Sequence, residues 1–150
     1  MSWNDLRTGR YSQPEGEYFI TFNTHDRTPF FNDFELAKLF CQQIKSNEKQ
    51  QHCTWLAWVL MPDHFHGLLK LNESNTELSK TVGTLKGSTS FIINKKLNRK
   101  GQLWQPAYHD RALRKEEDRI AIARYIVANP LRKKIVEDLK HYPFWNSIYL

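Results

Sequence analysis

Two histidines, His64 and His66, flank one bulky apolar residue, Phe65, in a stretch that reads as a β-strand from His64 to Leu71. Successive strand side chains point to opposite faces, so both imidazoles share one face, roughly 6–7 Å apart, while Phe65 turns toward a core. Two imidazoles on one face can chelate a divalent cation. Tyr125 and Asn129 stand four residues apart in a later segment of helical periodicity. On a helix they share a face about 6 Å apart. A helix laid across the sheet beside that strand would add the Asn129 carbonyl, a hard oxygen, to the two nitrogens. Such a set leaves coordination positions open and suits Mg²⁺ or Mn²⁺ in the company of phosphate oxygens. The chemistry that follows is polarisation of a phosphodiester by the cation and attack by the Tyr125 phenol to give a covalent phosphotyrosine.

Each residue also has an ordinary reading. Histidines two apart near a turn are commonly surface residues, a tyrosine in an apolar-patterned helix commonly packs in a core, and asparagine before proline is a normal helix end. It is their occurrence together, in a basic chain, that points to a site.

The elements that must position them are legible. Glu17 to Thr24 is aromatic and β-branched and reads as a first strand. Asn32 or Asp33 can cap a helix through Leu36, Leu39, Phe40 and Ile44. Cys53 to Met61 is a second strand, and Pro62-Asp63 makes a tight turn into the third, which begins at His64. A second helix starts near Thr76 or Glu77 and runs to Leu97, with Gly83 and Gly87 weakening its pattern. A short strand follows from Ala107 or Tyr108. A third helix has Glu116, Glu117 and Asp118 in its first turn and stops at Asn129-Pro130. The order β-α-β-β-α-β plus a helix predicts an α+β, ferredoxin-like core: an antiparallel sheet with helices on one face, the other face open for a ligand, and a C-terminal helix bearing the tyrosine.

The 150 residues fit one domain, with residues 1–15 as a loosely held arm and 131–150 as a C-terminal tail. The chain is 40% hydrophobic and 25% charged, an ordinary globular balance, and its net charge of +6 favours a polyanionic partner. Cys41 and Cys53 are too few for a disulfide framework or a zinc finger and suit a reducing cytoplasm. The N-terminus is no signal peptide, and Trp55 to Met61 is far too short for a membrane span.

The segment Trp58–Leu68 (WVLMPDHFHGL) resembles the HUH motif segment of single-tyrosine transposases, and Arg124–Arg132 (RYIVANPLR) resembles their tyrosine helix. Gly101–Arg111 (GQLWQPAYHDR) and the YPFW tail at 142–145 look like the REP-associated tyrosine transposase branch. By motif position, His64 and His66 match the metal ligands, Tyr125 the nucleophile and Asn129 the third polar ligand; several relatives carry the longer glutamine there. The resemblance implies a metal-dependent enzyme that cleaves single-stranded DNA, leaving a 5′-phosphotyrosine and a free 3′-OH, and rejoins ends by the reverse step. It implies palindromic hairpins as substrate, next to a short guide sequence, with no small-molecule cofactor and a monomer favoured over the dimer that some single-tyrosine transposases form.

Three basic clusters could hold phosphates: Lys95, Lys96, Arg99 and Lys100; Arg111, Arg114 and Lys115; Arg132, Lys133 and Lys134. Trp104, Tyr108 and Tyr11 are candidates to stack on unpaired bases, Trp104 being equally suited to a core. His109 could approach the metal, and Asp63 could orient His64. Two rivals share the fold expectation: a non-catalytic nucleic-acid-binding module, and a phosphoesterase that uses water and no tyrosine.

Overall fold

A computed structural model describes residues 16–73 and 75–149. The arm at 1–15, Tyr11 included, lies outside the described residues. Five strands form one antiparallel sheet: β1 (Glu17–Asn23), β2 (Cys53–Met61), β3 (His64–Leu71), β4 (His109–Ala112) and β5 (Trp145–Ser147), in the spatial order β4-β1-β3-β2-β5. The first four strands give the ferredoxin-like order expected from the sequence, and β5 extends it beside β2.

Two long helices, α1 (Phe34–Gln51) and α2 (Leu78–Leu97), cover one face. Asp33 caps α1 by accepting from the amides of Glu35 and Leu36. Both helices end on a left-handed residue, His52 and Asn98. Under them lies an aromatic core in which Phe22, Phe40, Phe65 and Trp104 pack ring against ring. Trp104 is therefore a core residue, its indole N–H donating to Thr89. Tyr108 is buried as well.

Strand alternation sends Phe65, Leu69 and Leu71 into this core and leaves His64, His66 and Leu68 on the far face. Gly67 falls on the core side, where an added Cβ would come within 2.6 Å of the Trp55 ring. The alternation of β2 is broken by a bulge between Trp55 and Ala57. Cys53 and Trp55 face the helical core before it and Trp58 and Leu60 after it, so the core-facing positions switch from odd to even.

The far face is not wholly open: the tyrosine-bearing helix takes the place across the sheet that the site required. Helix α3 (Arg119–Val127) lies across it, with Ala123, Ile126 and Val127 set on Leu56, Ala57, Val59, Met61 and Leu68. The strand patterning at Leu56, Ala57 and Val59 is apolar because this second core needs it. The tail closes the same core through Tyr142, whose hydroxyl donates to the Leu60 carbonyl. The end of the face near the β2–β3 turn, where the two histidines stand, opens on a cavity.

The candidate active site

Three local features bring the tyrosine helix to the histidines. Asp118 caps α3, accepting from the amide of Ala121 at 3.1 Å, so the helix begins after the acidic residues rather than through them. Arg119 ties that start to the sheet: its Nε donates to Glu17 at 2.8 Å, and its Nη1 donates to the carbonyls of Arg114, Lys115 and Glu117. At the other end α3 stops at Val127, and a short turn, α4 (Asn129–Arg132), follows with Pro130 in its first positions. The buried stripe of α3 is Ala123, Ile126 and Val127. Tyr125 falls off that stripe and is 57% exposed, which excludes core packing as its role.

Asn129, by contrast, is buried, and its Nδ2 lies 3.4 Å from His64 Nε2. The His64 and His66 rings are perpendicular with centroids 4.7 Å apart. One cavity of about 470 Å³ is lined by His64, His66, Tyr125 and Asn129, together with Thr21, Asn23, Arg27, Arg132 and Lys133. All four residues that the sequence suggested for chemistry thus face the same space, from a hairpin and a helix some 60 residues apart in the chain.

Each imidazole is held by its Nδ1. That of His64 lies 2.7 Å from the Asp63 carboxylate, and that of His66 lies 2.8 Å from the Thr21 hydroxyl. Asp63 is itself gripped by Arg27 Nε at 3.1 Å. Two successive left-handed residues, Asp26 and Arg27, both at φ 55°, turn the chain after β1 toward Asp63. Asp63 therefore orients His64, as its position in the sequence suggested.

The electrostatics favour the neutral form of both rings. Burial lowers the His64 pKa, opposed by Asp63 and assisted by the charges of Arg27 and Lys133. Burial also lowers His66, with His64, Arg132, Arg27 and Lys133 adding to it, to about 4. Burial pushes the Asp63 carboxyl up, but hydrogen bonds from His64 and Arg27 outweigh it and the net shift is downward. A neutral imidazole bonded through Nδ1 offers Nε2 as a lone-pair donor. No group of three or more His, Cys, Asp and Glu residues among the described residues is placed to hold a metal ion by itself. The set here is instead two imidazoles and an amide. Two ligand atoms each about 2.1 Å from one cation stand about 3.0–3.4 Å apart, so the spacing of Asn129 from His64 fits a shared ion once the amide turns its oxygen inward.

Of the three basic clusters, only the third reaches the cavity. Arg132 stacks its guanidinium 3.9 Å from the centre of the Tyr125 ring and donates to the Tyr125 carbonyl, and Lys133 lines the wall. Arg111 is paired with Glu117 at 2.9 Å, Arg114 lies near Glu116 and Glu117, and neither lines the cavity; nor does Lys115. Lys95, Lys96, Arg99 and Lys100 lie at the far end of α2 and beyond it. His109 stands opposite Thr21 on β4, with β1 between it and His66, and does not line the cavity. Sequence reasoning missed Thr21, Asn23 and Arg27. The first two alternate with Phe22 on β1 and are polar in an otherwise apolar strand, a signal that could have found them; Arg27 carries no such mark.

The sequence matches the family described as Transposase IS200 like over residues 12–129. It is 25% identical over 135 residues to the REP-associated tyrosine transposase of Escherichia coli K12, covering 90% of this chain and 78% of that protein. It is 26% identical over 144 residues to a Haemophilus influenzae protein grouped with the same transposases, covering 86% of this chain and 78% of the relative. In fold it is similar to a REP-associated tyrosine transposase solved bound to a REP hairpin, with a TM-score of 0.77 at 23% identity, over 91% of this chain and 79% of that one. A match over most of its length, on the sheet order and on the hairpin and helix that carry the site, places the chain in the IS200-like transposase family.

Proposed function

We propose that the chain cleaves and rejoins single-stranded DNA at palindromic hairpins of the REP type, with Tyr125 as the nucleophile and a divalent cation, Mg²⁺ or Mn²⁺, held by His64, His66 and Asn129. The observation that carries this is the convergence of an exposed phenol with two neutral imidazoles and an amide in one cavity lined by Arg27, Arg132 and Lys133. The kind of hairpin is taken from the similar transposases.

When bound, the cation would polarise the phosphodiester and fix its orientation. Arg27, Arg132 and Lys133 draw the phosphate into the cavity and balance its charge. Arg132, stacked on the Tyr125 ring, holds the phenol at the cavity wall. The Tyr125 oxygen forms a bond to phosphorus as the bond to the 3′ oxygen breaks. The phenol proton leaves to water at the open mouth, and the departing oxygen takes up a proton to become a 3′-OH. The reverse reaction joins a 3′-OH to the phosphotyrosine. Phenol and imidazoles come from one chain, which favours a monomer as the acting form. A chain that works on DNA in the cytoplasm also keeps its two cysteines as the free thiols seen here.

The test is cleavage of a labelled hairpin with single-stranded flanks in the presence of Mn²⁺. Wild type should yield a protein–DNA adduct on a denaturing gel. Tyr125→Phe should yield neither adduct nor cleavage while still binding the hairpin. Cleavage by Tyr125→Phe at the wild-type rate would leave a water-using phosphoesterase in its place.

A further inference from the structure

The charge of this chain is segregated. Of its 22 Lys and Arg residues, six lie between residues 78 and 109, and none of its 16 Asp and Glu residues do. The remaining 16 cations and 16 acids balance, so the whole net charge of +6 belongs to α2 and the connector that follows it.

Within that segment the described contacts separate two kinds of cation. Lys86 donates to the carbonyls of Gln105 and Ala107. Arg99 donates to Asn94 Oδ1 at 2.8 Å and the Gln102 carbonyl at 3.1 Å, and lies 4.8 Å from the Phe30 ring centre. Both are engaged within the fold. Lys95, Lys96 and Lys100 are exposed and have no ion pair among the described residues.

One turn before Lys95 stands Phe91, 71% exposed. It has no aromatic neighbour among the described residues, whereas Phe34, also exposed, packs on Phe144. Phe91, Asn94, Lys95, Asn98, Arg99 and Lys100 line a shallow recess of about 390 Å³. Favourable placement at a helix C-terminus accounts for Lys95 and Lys96. It does not account for Lys100, which lies beyond the helix, or for a bare phenyl ring in one recess with Lys95 and Lys100.

The recess sits at the catalytic end of the sheet. The connector after α2 bonds to the end of β1: the His25 amide donates to the Leu103 carbonyl, and the Gln105 amide to the Asn23 carbonyl. Arg99 rests on Phe30, whose neighbour Phe31 donates to the Pro62 carbonyl in the turn before His64. Asn23 and Arg27 line the cavity, so the connector and the loop after β1 link the recess to the cavity end of the sheet.

We propose that Phe91 is a stacking platform for an unpaired base of the substrate, with Lys95 and Lys100 on the adjoining phosphates. An exposed aromatic ring flanked by free cations is the chemistry that holds single strands without reading their sequence. A duplex stem offers phosphates but no free base face, so single-stranded DNA is the occupant this surface fits. The proposal rests on the DNA-processing reading above and adds where the unpaired flank is held.

The test measures binding alone. Two labelled hairpins, one blunt and one with a single-stranded extension, are titrated by fluorescence anisotropy in EDTA. Wild type should bind the extended hairpin more tightly. Phe91→Ala should weaken the extended hairpin roughly tenfold and leave the blunt one unchanged. Phe91→Trp should restore the loss, which a merely structural phenylalanine would not allow. Lys95→Ala with Lys100→Ala should flatten the plot of log affinity against log salt by about 1.4. The proposal is overturned if wild type does not distinguish the hairpins, if Phe91→Ala binds the extended hairpin like wild type, or if it weakens both equally. With no divalent cation and no cleavage in the tube, the result is independent of whether Tyr125 is the nucleophile.

Discussion

Asn129 Nδ2 lies 3.4 Å from His64 Nε2, across 65 residues of chain. His64 gives its Nδ1 to Asp63, so its Nε2 is a lone-pair acceptor, and the amide of Asn129 donates to it. A half-turn of the same amide presents oxygen instead. Asparagine can thus close the pocket by itself or serve a cation, which a carboxylate beside these neutral rings could not do without burying an unpaired charge.

That relationship predicts shared dependence on the two rings. His64→Ala and His66→Ala should each lower Mn²⁺ affinity at least tenfold in isothermal titration and abolish strand cleavage. Unchanged affinity in both variants would show that the cation sits elsewhere.

Asp63 touches no substrate-facing space of its own but fixes the tautomer and angle of His64. Asp63→Asn should cost 10- to 100-fold in Mn²⁺ affinity while hairpin binding in EDTA stays within about twofold. Equal losses in both assays would mean the residue shapes the DNA surface instead.

The pH dependence follows from burial. Both imidazoles have folded pKa values below the ordinary 6.5, His66 at about 4. In the unfolded chain they take up protons as pH falls through 6.5, while the folded rings resist. The unfolded state then binds more protons, so stability is fully present above pH 6.5 and declines as pH falls toward about 4. His66→Asn should flatten part of that decline in urea titrations at pH 7, 6 and 5. Mn²⁺ binding should also persist below pH 6, where a free imidazole is largely protonated. A loss of binding centred at 6.5 would contradict the burial.

Much of this site was legible in the residues. The limits of β2 and β3 follow from Cys53, the Pro62-Asp63 turn and the polar end after Leu71, and they fix which way His64 and His66 point. The cap of α1 was legible as Asn32 or Asp33 for the same local reason, and Asp33 fills it. What sequence could not give was set by contacts far apart in the chain. The bulge at β2 is demanded by two cores that meet on one strand. Strand β5 forms from three residues, Trp145–Ser147, because β2 offers a free edge. The far face looked open because the seat of α3 lies in strand residues whose hydrophobicity had already been assigned to the other core. Spacing did not single out the third basic cluster from the other two, and the turn α4 is what brings Arg132 and Lys133 to the cavity.

Arg119 is the clearest residue that pattern reading missed. It binds Glu17 and three carbonyls and so sets where α3 starts on the sheet. Arg119→Ala should lower the cleavage rate at saturating Mn²⁺ about tenfold or more, because Tyr125 is no longer held at the cavity wall, while Mn²⁺ affinity changes little. A rate like wild type would show that the apolar seat of α3 positions the phenol unaided.

The central claim is that one side chain, Tyr125, takes the DNA. Peptide mapping by mass spectrometry of the adduct trapped with a cleaved hairpin tests it most directly. The account predicts a nucleotide phosphate carried on the peptide containing Tyr125. The same modification on a peptide without Tyr125, at comparable yield, would contradict it.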